Sequence, residues 1–196
     1  EKEIKEFSNL NKEFSSMETV ENTKVFRFIL GIDSFPNPLK KEEVEKLNDT
    51  FANLFLKKNI IPLTLNEVLT ILNNTNDLSE EDSFLVADGG QIIWSTETDE
   101  LNRQFRLVIS RSDTKNDLQI LISSSTVIDS KTQFLQLISW DNIAKANNFY
   151  ERRNESWFWA GNSYHSLTAP SRGQGPFDSH VNGAIVMKEL KFPWIN

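Results

Sequence analysis

The chain has two histidines, His165 and His180, and Asp178 lies two positions before the second. Imidazole nitrogens and a carboxylate oxygen are the ligands that zinc, manganese or non-haem iron takes in a two-histidine, one-carboxylate arrangement. His165, His180 and Asp178 are therefore candidate ligands of a divalent metal. The same three are the candidate catalytic groups of a metal-dependent enzyme. Glu189 would add a fourth ligand if the last helix turned inward. No HExxH pattern frames them, so the expectation rests on residue types alone. The plainer alternative is that each histidine is a hydrogen-bonded structural residue.

A second chemistry is written just downstream of His165. "SRGQGP", from Ser171 to Pro176, is a glycine-rich link, and a closing helix is expected to begin near Ser179. Loop amides and the helix dipole favour a negative or strongly polar group at such a place. Arg172 would add charge there and Asn182 an amide. Asp178 or Ser179 competes as an N-cap that already satisfies the first amides. The loop lacks the terminal Gly-Lys-Ser/Thr of a Walker loop and follows no βαβ strand, which argues against nucleotide binding in either standard mode. Ser163 does not sit in a G-x-S-x-G elbow, and Asp178 is too near His180 in sequence to orient it as in a serine triad.

The third group is aromatic. Strict alternation in "SWFWAGNSY" puts Trp157 and Trp159 on one face of a strand, followed by Tyr164 beside His165. Two tryptophans so spaced form a stacking surface for a sugar, a heterocycle or another protein, or else fill the core. Taken together, Trp157, Trp159, Tyr164, Arg172 and Asn182 are the candidate ligand-binding residues of a cleft in the C-terminal third.

These side chains need a scaffold, and the hydrophobic patterning describes one. Residues 1–20 carry Ile4, Phe7, Leu10 and Phe14 at helical spacing, as an amphipathic helix or arm. "KVFRFILGI" is a β-type run ending at a proline-rich turn. Val44, Leu47, Phe51, Leu54 and Phe55 recur as one face of a single helix from Lys40 to Lys58. A second helix starts at Thr64, where Glu67 completes a capping box. From residue 83 to 160 short strands alternate with polar turns, including "DGG" at Asp88 to Gly90 and "NE" at Asn154, as in an antiparallel meander. The expected fold is thus a single α+β domain over residues 1–196. Its N-terminal amphipathic helices, within a mainly helical 24–80, pack on an antiparallel meander sheet, and residues 161–196 form a loop and a closing C-terminal helix.

Bulk composition narrows the classes. The net charge of −7, from 28 acidic and 21 basic residues, disfavours nucleic acid and anionic membrane as partners. Arg103, Arg106 and Arg111 cluster without an acid, and are expected on solvated strand faces or as a local anion patch. No apolar run reaches the roughly 18–20 residues of a membrane span. The absence of cysteine removes disulfides, thiolate-bound metals and thiol catalysis. It suits a cytoplasmic protein first, and also a periplasmic or secreted one after signal removal. The functional expectation is binding of a small polar ligand in the C-terminal cleft. The alternative is a non-enzymatic scaffold whose aromatic segment, ending at Trp194, meets a protein partner or a second copy of the chain.

Overall fold

The computed structural model describes residues 24–75, 78–87, 105–125, 131 and 134–171. Their centre is one eight-stranded sheet with the order β2-β1-β8-β7-β6-β5-β4-β3. The strands are β1 (Val25–Arg27), β2 (Asn37–Pro38), β3 (Leu78–Ala87), β4 (Phe105–Asp113), β5 (Leu118–Ser125), β6 (Leu135–Asp141), β7 (Ala146–Arg153) and β8 (Ser156–Asn162). From β3 to β8 every consecutive pair is antiparallel. β1 then adds in parallel to the far side of β8, pairing Val25 with Trp157 and Arg27 with Trp159.

This corrects the expected α+β layering. The sheet is mixed rather than a pure meander, and the described helices are four short ones. They are α1 (Lys41–Val44), α2 (Thr50–Leu54), α3 (Leu65–Asn73) and α4 (Ser163–Leu167), with a 3-10 turn at Leu56–Lys58. The closing helix expected near Ser179, the arm at 1–20 and the "DGG" turn all lie outside the described residues.

The long helix expected from Lys40 to Lys58 is broken for a tertiary reason. Asp49 is extended, at φ −80° and ψ 167°, and its side chain caps α2 by accepting from the Ala52 amide. The Asn48 amide, which a continuous helix would use internally, donates instead to Oδ2 of Asp141 on β6 at 2.8 Å. A bridge between Asp49 and Asp141 fixes the same point. The buried stripe nevertheless survives the break, with Leu47, Phe51 and Phe55 all buried. Among the described helices, α3 forms as its sequence suggests. Thr64 accepts from the Glu67 amide, Glu67 accepts from the Thr64 amide, and Val68 and Leu72 turn inward.

Ladder partners lie side by side, so register determines which side chains share a face. One row runs Ile109, Ile122, Leu137, Tyr150 and Trp159 across β4, β5, β6, β7 and β8. Phe51 of α2 seats on this row, with ring centroids 4.8 Å from both Tyr150 and Trp157 and 4.9 Å from Phe55. Full burial of one such side chain contributes about 2–3 kcal/mol. Two of the arginines expected on solvated faces are buried. Arg111 pairs with Glu81 and Asn73, and Arg106 lies over the Phe134 ring at 3.4 Å. A long guanidinium side chain covers apolar surface well once its charge is partnered.

Candidate functional site

β8 ends at Asn162, one residue after Gly161, whose φ of +88° bends the chain as it leaves the sheet. Only glycine adopts that backbone without strain, and a Cβ here would meet His165 and Ile29 at 3.2 Å. Asn162 follows as the N-cap of α4, its Oδ1 accepting from the amides of Tyr164 and His165 at 3.1 and 3.2 Å. His165 closes the reciprocal half of this box, its Nδ1 accepting from the Asn162 amide at 3.1 Å.

That contact assigns the tautomer. An Nδ1 that accepts a hydrogen bond carries no proton, so the neutral ring holds its proton on Nε2. Nε2–H is then a donor of fixed direction, with no hydrogen-bond partner among the described residues. The imidazole stands edge-on to Trp159, with centroids 5.6 Å apart and planes at 88°. Burial pushes the pKa of His165 below its ordinary value. The Arg27 guanidinium adds to that depression, and Asp33 opposes it.

Arg27 and Asp33 complete the constellation. The register of β1 on β8 sets Arg27 beside Trp159. Its Nε donates to Asp33 Oδ2 at 3.1 Å, and its Nη1 lies 3.4 Å from Glu43. Asp33 Oδ2 also accepts from the Ile29 amide at 2.8 Å. The sequence carried one signal for this pair: Arg27 is the sole charge inside the apolar strand run "VFRFILGI".

The other expected site residues that are described have different settings. Trp157 has no exposed surface, and its Nε1 donates to the Pro62 carbonyl at 2.6 Å, so it is core. Trp159 is nearly buried, its Nε1 donating to Asn148 Oδ1 at 3.0 Å. Tyr164 is exposed, with its hydroxyl donating to the Lys145 carbonyl at 3.3 Å. Ser163 Oγ is occupied by Asn147, accepting from its amide at 3.0 Å and donating to its carbonyl at 3.4 Å. Arg172, Asp178, His180 and Asn182 lie outside the described residues. Among the described residues no three His, Cys, Asp or Glu side chains group as metal ligands.

A second polar cluster is fully inside. Asp49 Oδ2 accepts from the Tyr150 hydroxyl at 2.7 Å and from Asn148 Nδ2 at 2.8 Å, and Oδ1 accepts from the Ala52 amide at 3.0 Å. Burial raises the pKa of Asp49, while Tyr150, Ala52, Ser139 and Asn148 hold it down in part. Burial and the neighbouring Asp49 carboxyl push Tyr150 well above the usual phenol value, keeping it a donor. Asn148 links this cluster to Trp159, and so to the back of the His165 site. No protein-family model, no curated protein and no solved structure matches this chain.

Proposed function

We propose that the protein binds a small polar ligand at the end of the sheet where β1, β8 and α4 meet. The observation that carries this reading is the Nε2–H of half-buried His165, fixed by the Asn162 cap and left without a partner among the described residues. Trp159 supplies an aromatic wall, and Arg27 and Asp33 supply charge of both signs. A donor held in one direction against an aromatic edge costs little ordering entropy when an acceptor arrives. Such a site suits a neutral or zwitterionic ligand better than a bare anion, because Asp33 and Glu43 already offset Arg27. Trp157 acts as support behind the wall.

A panel of amino acids, polyols and small carboxylates tests this by NMR on the full chain. The expected result is that one class at millimolar concentration shifts the His165 ring and Trp159 indole signals together, and raises the melting temperature of the wild type. Ligands that leave both signals unmoved across the panel would sink the reading. A second reading, a protein-interaction module, is favoured by exposed Ile143, Tyr164 and Leu167 at the same end of the sheet. There Leu167→Glu would abolish the association of a partner while leaving the unfolding free energy of the free chain within about 0.5 kcal/mol of wild type.

A further inference from the structure

We infer that His165 is a proton-sensitive latch, holding α4 and residues 168–171 against the β1 turn when neutral and releasing them when protonated. It requires no bound ligand and stands apart from the binding reading. The geometry is specific. In the reciprocal box at the start of α4, the group at its fourth position must accept a hydrogen bond from the N-cap amide. Glutamate or glutamine does this at every ordinary pH, but here the acceptor is His165 Nδ1. A proton added to the neutral ring goes to that same nitrogen. It turns an N–H···N bond into two opposed N–H groups.

What the bond secures extends beyond one amide. The His165 carbonyl accepts from the Thr168 amide at 3.0 Å and the Thr168 hydroxyl at 2.7 Å, and the Thr168 carbonyl accepts from the Ser171 amide at 3.1 Å. This turn rests on Gly31 so closely that a Cβ there would lie 2.0 Å from the Pro170 carbonyl oxygen. α4 has only five residues, too few to persist without its caps. Among the described residues, the charged groups that act on the ring are Arg27 of β1 and Asp33 of the following turn, and Glu43 of α1 is paired with Arg27. Trp159 of β8 adds an aromatic edge but no titration.

The test is an NMR titration of the ligand-free full chain, from about pH 8 to about pH 5 across the histidine range. In the wild type, the Asn162 and Gly31 amide signals are expected to shift with the same midpoint as the His165 ring. Protection of the Asn162 amide, corrected for intrinsic exchange, should fall roughly fivefold to tenfold, the equivalent of one lost hydrogen bond. His165→Gln keeps the acceptor and removes the titration, so its Asn162 and Gly31 signals should stay at their neutral-pH positions throughout. His165→Ala should show the released signals at every pH. The latch is overturned if the wild-type amides do not follow the ring. It is equally overturned if His165→Gln retains the transition, which would place the titration on another group.

Discussion

Asp49 and Tyr150 are 101 residues apart and meet in a site with no exposed surface. A carboxylate there is tolerable only because donors surround it, and losing one leaves the rest of the desolvation cost in place. Tyr150→Phe keeps the ring packed on Phe51 and deletes only the hydroxyl. It is expected to destabilise the protein by about 1–3 kcal/mol in urea unfolding, with little change in the m-value. An effect below about 0.5 kcal/mol would mean that the hydroxyl contributes no net bond to Asp49. Neither residue stands out in the sequence. Asp49 reads as one polar position in a helix, and Tyr150 as one aromatic in a strand. His165 did stand out by type, as did Trp159, but their sequence spacing pointed to a metal or a stacking platform. The capping role of the imidazole became visible only with Asn162 in place.

At the level of elements, backbone conformation governs the site. Asn59, Asn116 and Asn154 take left-handed backbone at turns, which asparagine tolerates. Gly31, at φ +79°, has in addition the Pro170 carbonyl where a side chain would stand. Gly31→Ala is therefore expected to separate the β1 turn from residues 168–171. It should cost at least about 1–2 kcal/mol from the backbone alone. Limited proteolysis would read the separation as faster cleavage after α4, with the sheet amides still protected from exchange. Unchanged cleavage and an unchanged midpoint would show that this contact does not hold the segment. The sequence made α3 legible because a capping box and an apolar face agree there. It misread the segment from Lys40 to Lys58 because the competing acceptor, Asp141, is supplied by a strand nearly a hundred residues away.

For the molecule as a whole, the core joins α2, α3 and the strands from β4 to β8 in one cluster, so a change at either polar site is felt in global stability. The two titrations act with opposite signs. His165 has a lowered folded pKa, so its contribution is fully present above the ordinary imidazole value of 6.5 and is lost as pH falls through the folded value. Asp49 has a raised folded pKa, so its contribution is present below the ordinary 3.8 and is lost as pH rises through the folded value. As pH falls below 6.5 toward the lowered folded value of His165, the wild type is expected to lose stability. His165→Gln should flatten that part of the profile in urea titrations at several pH values. A wild-type curve that rises toward acid over this interval would contradict the sign. By itself, the sequence determined the apolar and aromatic inventory, the absence of thiol chemistry, the Thr64 cap, and the concentration of reactive residue types near the C-terminus. All of these follow from residue identity or from contacts a few positions apart. Only the tertiary structure decided that the long helix breaks at Asp49, that β1 joins β8 in parallel, that Trp157 is core, and that His165 meets Trp159, Arg27 and Asp33. Those outcomes depend on hydrogen-bond partners and strand register distant in sequence, and no local pattern encodes which distant group will arrive.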